Sequence, residues 1–331
     1  MSGWENLESW VAPTLDDEQR KRFETKLCPS CGRQYEGFFV LCPSDQMTLS
    51  EVPPPKGPLG KHYECKAQIG AGSLFNVYEG AHNESADKVA IKILRREFEC
   101  DQRGLKRFEQ EQMIASVLKH DHIAHTFSFG AIPDQYVLQP FLVTEFLQSI
   151  SLADALAQWG ACDENIASLL MNQICDAFEF AHKMGAVHSD FKPSNVFISP
   201  GKSPSVKIVD FAVSKRLFGG KDDTRYGAGA TAQSLASASY TAPEVNKGTT
   251  PSPVSDIYAI ACVFYEMLAG KPPFVGSSPF ELAYAHERDE VQPLPETPGR
   301  EQFRHDLMKC LEKDPAKRLS NISELKPSVT A

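Results

Sequence analysis

The chain has 331 residues, of which 42% are hydrophobic and 23% are charged, a composition typical of a folded globular protein and not of a disordered chain. Acidic residues outnumber Lys and Arg by 43 to 34, and the net charge of −9 disfavours nucleic acid and anionic membrane surfaces as partners. The length predicts about two globular units, or one bilobed unit with an appendage.

The sequence shows no sign of a membrane span or a secretory signal. The longest apolar run, residues 257–269, contains Glu266 and falls short of the roughly 20 residues that cross a bilayer. The first residues carry Glu5 and Glu8 and lack a basic start and an apolar stretch. We therefore expect a cytoplasmic protein. Six scattered cysteines are expected to be reduced thiols: Cys65, Cys100, Cys162, Cys175, Cys262 and Cys310.

The three remaining cysteines form a pattern near the N-terminus. Two residues separate Cys28 from Cys31, and Cys42 and Asp45 repeat this spacing after ten intervening residues. Thiolates suit Zn²⁺, and a four-ligand site can hold a segment too short to bury its own core. We expect all four residues to bind Zn²⁺, more weakly than four thiolates would because a carboxylate is a harder ligand. Two alternatives stay open: three thiolates plus water, and a metal-free pair of turns whose cysteines only pack.

A proline-rich stretch separates this pattern from the rest of the chain. Residues 50–60 include four prolines, which favour polyproline II at about 3.1 Å per residue and a semi-rigid spacer. The sequence therefore divides into an N-terminal segment (1–27), a module that resembles a zinc ribbon (28–49), the linker (50–60) and a large module.

The large module begins with strand patterns and continues with helical ones. From Tyr63 an apolar run breaks at residues 70–72, resumes at 76–78 and is followed by alternation over 88–94. A helical pattern over residues 104–119 interrupts this region, and the later helices are predicted over residues 152–158, 164–184, 256–269 and 303–312. This order predicts an α+β protein with a small β-rich lobe (61–146) before a larger helical lobe (147–331).

Charged side chains interrupt the apolar patterns of both lobes. Lys92 shares a strand face with Ala90, and Glu111 lies on an otherwise apolar helical stripe. A buried carboxylate requires a cation, so Lys92 is the expected partner of Glu111. Further on, the segment His188-Ser-Asp-Phe-Lys-Pro-Ser-Asn195 places an acid, a cation and an amide within six positions, and a short strand ends at Asp210.

The order and spacing of these motifs resemble the eukaryotic-type (Hanks-type) serine/threonine protein kinases of bacteria. The resemblance covers residues 61–325 and extends to the glycine-containing segment 69–77 and to Ala242-Pro-Glu244, Asp256, Gly270-Lys-Pro-Pro-Phe274 and Asp314-Pro-Ala-Lys-Arg318. It implies the bilobed kinase fold and an enzyme that transfers the γ-phosphate of ATP to protein hydroxyls.

The resemblance also implies a role for individual residues. Lys92 would hold the α and β phosphates and pair with Glu111, Asp190 would orient the substrate hydroxyl and accept its proton, and Asn195 and Asp210 would bind Mg²⁺. Because the protein forms few covalent bonds in this transfer, catalysis would consist of positioning and charge neutralisation.

Other residues would define specificity and the nucleotide pocket. Lys192 resembles the additional cation of serine/threonine kinases, and Ser237 stands in place of their threonine before the Ala-Pro-Glu motif. Glu244 and Arg318 would form a buried ion pair. The residues implied around ATP are Ile69, Gly70, Ala71, Gly72, Ser73, Val77, Ala90, Lys92, Thr144, Glu145 and Leu147, with Thr144 as gatekeeper and the backbone of Glu145 and Leu147 facing adenine.

Three residues depart from the family pattern. Phe75 replaces the third glycine, Ser189 replaces the arginine before Asp190, and Ala212 replaces the glycine after Asp210-Phe. Because of these departures, a pseudokinase, which would bind nucleotide or act as a scaffold, is the alternative to an enzyme. Phosphotransfer to small molecules is a third, less favoured possibility. The partners expected are ATP, protein substrates and a regulatory partner of the zinc-ribbon-like module.

Overall fold

The computed structural model of the protein describes residues 4, 7, 10, 25–28, 34–36, 40–44, 46–51, 58–59, 62–71, 75–95, 112, 116–133, 138–201, 203–211, 231–294 and 301–327. Strands dominate up to residue 145 and helices dominate afterwards, which is the predicted order. Within these ranges, none of the helices has the length and apolar character that a membrane crossing requires.

A six-stranded antiparallel sheet forms the small lobe. Its strands are β4 Pro58–Leu59, β5 Tyr63–Ala71, β6 Phe75–His82, β7 Lys88–Leu94, β8 Thr126–Pro133 and β9 Leu138–Glu145, paired in the order β4-β5-β6-β7-β9-β8. One face of β7 packs its alternate residues Val89, Ile91 and Ile93 into an apolar cluster with Phe141 and Val143 of β9. Because this cluster joins the two strands, the other residues of β7 lie at a fixed distance from the end of β9.

Helices form the large lobe. Those described are α1 Leu152–Trp159, α2 Glu164–Lys183, α3 Thr231–Ala238, α4 Pro243–Asn246, α5 Pro253–Ala269, α6 Pro279–Arg288 and α7 Glu301–Cys310, with 3₁₀ helices Pro193–Asn195, Pro315–Lys317 and Ile322–Leu325. Helix α5 is buried along most of its length and forms the centre of the lobe. A capping box between Ser252 and Ser255 starts it, and Gly270 ends it in the left-handed conformation (φ 72°) that glycine tolerates.

A second, three-stranded sheet supports the loops between the lobes. It contains β10 Ile150–Ser151, β11 Val196–Ser199 and β12 Ser205–Ile208, in the order β10-β11-β12. Strand β11 begins directly after Asn195, and β12 ends two residues before Asp210. The sheet therefore places the two predicted Mg²⁺ ligands beside the adjacent ends of neighbouring strands.

The N-terminal part of the chain contains a small antiparallel sheet. Strands β1 Thr25–Leu27, β2 Gln34–Glu36 and β3 Ser50–Glu51 pair in the order β2-β1-β3. Cys28 and Cys42 are fully buried and form one apolar cluster with Leu49. Cys31 and Asp45 lie outside the described residues. Strands β3 and β4 occupy parts of residues 50–60, so strand structure extends into both ends of the predicted linker.

The predicted helices of the large lobe correspond to observed ones. The expected segments 152–158, 164–184, 256–269 and 303–312 match α1, α2, α5 and α7 with ends that differ by at most three residues. Helix α5 starts earlier than predicted because Pro253 fits the first turn of a helix, where no N–H donor is needed. Helix α6 is absent from the predicted elements, and it buries only Leu282, Ala285 and His286. The predicted helix 104–119 lies mostly outside the described residues; residues 112, 116 and 117 are helical.

The scattered cysteines agree with the expectation of thiols. Cys162, Cys175, Cys262 and Cys310 are buried, Cys65 is partly buried, and none of them forms a disulfide. Burial raises the pKa of the Cys65 and Cys310 thiols to about 12, so both are protonated and unreactive near neutral pH. Cys100 lies outside the described residues.

Candidate active site

The predicted nucleotide-binding residues of the small lobe lie on adjacent strands. Gly70 at the end of β5 pairs with Val77 of β6, and Val77 pairs with Lys92 of β7. On the other side of β7, Ala90 pairs with Thr144 of β9. Ile69 and Ala71 also lie on β5, Glu145 ends β9 and Leu147 follows it. The antiparallel pairing thus places one side of a cleft on four neighbouring strands.

Lys92 crosses this cleft to the large lobe. It is 9% exposed, and its Nζ forms an ion pair with Oδ1 of Asp210. Lys92, Thr144 and Asp210 line one pocket together with Ile208 of β12. The predicted partner of Lys92, Glu111, lies outside the described residues, so the Lys92–Glu111 pair stays a prediction. The observed pair links the sheet of the small lobe to the strand that precedes Asp210.

Lys192 joins Asp190, the predicted proton acceptor, to Ser237, which lies upstream of the Ala-Pro-Glu motif. Lys192 Nζ donates to Asp190 Oδ2 at 2.9 Å and to Ser237 Oγ at 3.0 Å. The Asp190 side chain is 21% exposed, so one carboxylate is both positioned by a cation and open to a ligand. The structure thus brings Asp190, Lys192 and Ser237 together, a contact that the sequence analysis did not state.

The predicted Mg²⁺ ligands are held by backbone hydrogen bonds. Asn195 Nδ2 donates to the carbonyl oxygen of Asp190 at 2.9 Å, so this hydrogen bond does not use the amide oxygen, the atom that the prediction assigns to Mg²⁺. Val209 N donates to the Asn195 carbonyl at 3.0 Å, so the residue before Asp210 is tied to Asn195. Carboxylate and amide oxygens are ligands that Mg²⁺ accepts, and the donor set fits this ion. Among the described residues, no group of three or more His, Cys, Asp and Glu side chains forms a metal site.

Asp256 of α5 supports the loop that carries Asp190. Its side chain is 1% exposed and accepts hydrogen bonds from the backbone N–H groups of His188 (2.8 Å) and Ser189 (2.9 Å). His182 Nε2 lies 3.0 Å from Asp256 Oδ2. Sequence reasoning placed Asp256 on a helix but assigned it no role. A buried acid in an apolar helix was the available signal, since such a carboxylate must have donors.

His188 fills the space beneath the same loop. It is fully buried, and burial lowers its pKa below the ordinary histidine value. Its Nε2 lies 3.0 Å from the carbonyl of Val209, which only accepts, so Nε2 carries the proton. The ring packs against Phe211 and Phe191 with centroids 4.8 and 5.5 Å apart. The neutral ring therefore connects the Asp190 loop to the segment that carries Asp210.

An ion pair behind the pocket joins the predicted adenine-binding segment to β12. Glu145 Oε2 lies 3.0 Å from Lys207 Nζ and accepts a hydrogen bond from His125 N at 3.3 Å. Lys207 is three residues before Asp210 on the chain. The sequence analysis assigned a role to the backbone of Glu145 and none to its side chain. The missing information was the tertiary pairing of the two segments, which residue spacing does not contain.

The predicted ion pair of the large lobe is present. Arg318 Nη1 and Nη2 donate to the two carboxylate oxygens of Glu244, each at 2.7 Å, and the guanidinium stacks on Tyr258 at 4.7 Å from the ring centroid. Arg318 is 5% exposed. This bidentate pair fixes the segment after Ser237 against the C-terminal part of the lobe.

The structure describes two of the three residues that depart from the family pattern, Phe75 and Ser189. Phe75 starts β6 and is 7% exposed, so its ring belongs to the small lobe's interior. Ser189 adopts a left-handed backbone conformation with φ 63°, next to the acid it precedes. Ala212, like Gly72 and Ser73 of the glycine-containing segment, lies outside the described residues.

Comparison with known proteins agrees with this arrangement. The family model of the protein kinase domain matches residues 63–328. A probable serine/threonine-protein kinase of Corynebacterium efficiens is 32% identical over 235 residues, which are 71% of this chain and 35% of that protein. The serine/threonine-protein kinase PknB of Mycolicibacterium smegmatis is 30% identical over 272 residues, 81% of this chain and 42% of PknB.

A second C. efficiens protein, named serine/threonine-protein kinases drp72, is 33% identical over 274 residues, 82% of this chain and 51% of its own length. The chain thus spans between about a third and a half of the length of these relatives. Because the family model covers most of the chain and the matched region contains the whole cleft, the chain belongs to the protein kinase family.

Proposed function

We propose that the protein transfers the γ-phosphoryl group of ATP to serine or threonine hydroxyls of proteins. The observation that carries this proposal is the contact of Lys192 with both Asp190 and Ser237, at 2.9 and 3.0 Å. The cation bridges the proposed catalytic acid and the segment where a protein substrate would lie. The names of the relatives support the same activity.

Each side chain of the cleft has a physical task in this reaction. Asp190 accepts a hydrogen bond from the incoming hydroxyl and takes its proton as the new O–P bond forms and the bond between the γ-phosphorus and the bridging oxygen of ADP breaks. Lys192, within 3.0 Å of Asp190, offsets negative charge on the γ-phosphoryl group. Lys92, held in the cleft by Asp210, is positioned to exchange that carboxylate for the α and β phosphates when nucleotide enters.

Asn195 and Asp210 would hold Mg²⁺ through the amide and carboxylate oxygens. Bound there, the ion neutralises charge on the phosphate oxygens. Asp210 is 34% exposed at its side chain, so the carboxylate is accessible to a metal ion from the cleft. The ion pair with Lys92 involves Oδ1, so the same carboxylate links the proposed metal site to the lysine proposed to hold the phosphates.

The proposal is tested by identifying which type of amino acid receives the phosphoryl group. The full chain is incubated with γ-labelled ATP, Mg²⁺ and a generic protein substrate, and the labelled amino acids are identified after hydrolysis. Label on phosphoserine or phosphothreonine is the expected result. Label on phosphotyrosine alone would contradict the assignment of Lys192 and Ser237, and nucleotide binding without any transfer would identify a pseudokinase.

We further propose that the N-terminal module, residues 28–49, binds one Zn²⁺ through Cys28, Cys31, Cys42 and Asp45. Burial of Cys28 and Cys42 in one cluster beside a three-stranded sheet supports this proposal. A turn follows Cys42, with Cys42 N donating to Met47 O at 2.8 Å and Gln46 N to Cys42 O at 2.9 Å. A tight turn after a ligand is the geometry that a two-residue ligand spacing needs.

Metal analysis of protein purified without chelator tests the zinc site. One Zn²⁺ per chain is expected, with loss in Cys42→Ser and retention in Cys65→Ser, whose cysteine lies in the small lobe. Asp45→Cys should strengthen zinc retention, since a thiolate is the softer ligand. Protein without zinc would contradict the proposal, and an unchanged affinity in Asp45→Cys would assign the fourth position to water. The module is proposed to serve docking or regulation.

A further inference from the structure

The beginning of the chain lies on the large lobe, although the metal-binding pattern and the small lobe follow it in sequence. Trp4 and Leu7 are each 1% exposed and belong to the main apolar core of the large lobe. Trp10 is partly buried and packs against the same core. Residues this close to a chain end are ordinarily poorly ordered unless they are held by packing.

The spacing of these three residues explains how a short segment can dock. Trp4 and Leu7 have 3₁₀ conformation, and Trp10 N donates to Leu7 O at 3.4 Å. In a 3₁₀ helix, side chains three residues apart lie on one side. Trp4 and Leu7 therefore have the spacing that places two apolar side chains on one side, and Trp10 follows at the same interval in the pattern Trp-x-x-Leu-x-x-Trp, which also contains the charged residues Glu5 and Glu8. We call Trp4, Leu7 and Trp10 the docking segment.

The docking segment contacts the end of helix α1. Trp4 Nε1 donates to the carbonyl oxygen of Gly160 at 3.1 Å, and its ring meets Trp159 edge-on with centroids 5.3 Å apart. Gly160 ends α1 with φ 72°. Carbonyl groups at a helix C-terminus lack partners within the helix, so the indole N–H supplies a hydrogen bond that this end needs.

The other end of α1 lies at the nucleotide site. Ser151 caps the helix and pairs in β10 with Phe197 of β11, directly beyond Asn195. Helix α1 also contacts the 3₁₀ turn Pro193–Asn195. Its eight residues span about 12 Å. Because Leu152 and Ala155 are fully buried, α1 is a rigid connection between Trp4 and the Mg²⁺ ligand Asn195.

The N-terminal part of the chain is attached to the small lobe as well. Strand β4 pairs with β5 through Pro58–Glu64 and Leu59–Tyr63. The cysteine-bearing region, residues 25–51, is thus held between an anchor on the large lobe and an anchor on the small lobe. Among the residues that the structure describes, release of the docking segment would leave the pairing of β4 with β5 as the remaining anchor.

We propose that Trp4, Leu7 and Trp10 form an intramolecular docking motif, and that the contact of Trp4 with Trp159 and Gly160 is coupled through α1 to the nucleotide site, so that release of the motif weakens nucleotide binding. The inference rests on the proposed function, because that function assigns a nucleotide to the cleft. Coupling of this kind is reciprocal, so nucleotide must also strengthen docking. Displacement of the cysteine-bearing region would then release the docking segment and change nucleotide binding.

The distribution of tryptophans makes docking measurable in the intact protein. The chain has three tryptophans, Trp4, Trp10 and Trp159, and all lie in this contact. Their quenching by acrylamide therefore reports exposure of this contact. Leu7→Asp keeps all three and places a charge in an apolar contact, which undocks the segment. Phe280→Asp is the matched control, because Phe280 is 88% exposed on α6.

The test compares quenching and MgADP affinity in the full chain. Leu7→Asp should increase quenching and raise the Kd of MgADP about fivefold or more, the lower range of typical coupling. Phe280→Asp should change neither quantity. In the wild type, MgADP should decrease quenching. Trp4→Phe, which keeps a ring but loses the donor to Gly160, should shift the Kd in the same direction by a smaller factor.

Two results would overturn the inference while leaving the proposed function intact. The first is a Leu7→Asp protein with increased quenching and unchanged MgADP affinity, which would show docking without coupling. The second is a wild type as strongly quenched as Leu7→Asp, which would show that the segment is not docked. A wild type that does not bind MgADP would contradict the proposed function and the inference together.

Discussion

Ser189 adopts a left-handed backbone conformation, and its N–H donates a 2.9 Å hydrogen bond to Oδ1 of the buried Asp256. A non-glycine residue in this conformation costs of the order of 1–3 kcal/mol and persists only where its surroundings hold it. The Asp256 carboxylate supplies that restraint, because it also accepts the N–H of His188 at 2.8 Å. The conformation of the loop before Asp190 is thus set from helix α5.

Asp256→Asn should destabilise the protein and slow phosphotransfer. The amide has one acceptor oxygen where the carboxylate has two, so at least one buried backbone N–H loses its partner, at a cost of about 1–3 kcal/mol. The free energy of unfolding, measured with urea, checks the first effect, and kcat checks the second. Asp289→Asn, at an exposed position, is the control and should match the wild type. Equal stability of Asp256→Asn and wild type would contradict this account.

The Glu244–Arg318 pair should show strong coupling. Arg318→Met leaves Glu244 without its bidentate partner in a largely buried site, which typically costs about 3–5 kcal/mol. Glu244→Gln with Arg318→Met should cost less than the sum of the single changes. Lys326→Met provides the comparison, since Lys326 pairs with Asp176 and Glu179 at the surface and should contribute less than about 1 kcal/mol. Additive single effects would refute the coupling.

His286 should make the protein less stable in mild acid. Burial, with a smaller effect of the Lys313 charge, lowers the pKa of His286 to about 4, and Tyr258 OH lies 2.8 Å from its Nδ1. Between pH 6.5 and 4 the unfolded chain binds a proton that the folded ring does not, so stability falls as pH falls, by about 3 kcal/mol at pH 4.

Urea unfolding of His286→Gln across this pH range tests the assignment. The stability of the variant should depend less on pH than that of the wild type. The dependence should not vanish, because the pKa of buried His188 is lowered too. His305→Gln, at an exposed position on α7, should retain the wild-type slope. If His286→Gln and wild type lose stability in parallel, His286 is not the titrating group.

Much of this arrangement follows from the sequence because it rests on local patterns. The positions of α1, α2, α5 and α7 follow from their helical periodicity, and Asp190, Lys192 and Asn195 are close in sequence and therefore in space. The resemblance singled out Lys192 and Ser237 separately, and their contact across 45 residues of chain is an observation of the structure.

The features that the sequence did not predict depend on tertiary contacts. Glu145 meets Lys207 across 62 residues of chain, and Trp4 meets Gly160 across 156. Neither pair has a spacing that marks it, since the two partners of each pair lie far apart in the sequence. The left-handed conformation of Ser189 belongs to the same group, because Asp256 imposes it from another helix.

Activity should depend weakly on phosphorylation between Asp210 and Glu244. Ser189 has no cation to receive a phosphate, and its N–H is already bonded to Asp256. Phosphatase treatment of the purified protein should therefore leave most of its activity. The candidate sites Thr224, Thr231 and Ser234 have side chains outside the described residues, and Arg225 or nearby lysines are the cations available to them. A fall of more than about tenfold would show that a phosphate is required.

The rate of transfer from γ-labelled ATP to protein, compared between the wild type and Asp190→Asn, tests the central claim most directly. Asp190→Asn removes the proton acceptor and keeps the size of the side chain, so the rate should fall by about 10²–10⁴-fold. Asp210→Ala should be similarly inactive, and Asp289→Asn should equal the wild type. Equal labelling by the wild type, Asp190→Asn and Asp210→Ala would contradict the assignment of this cleft as the active site of a protein kinase.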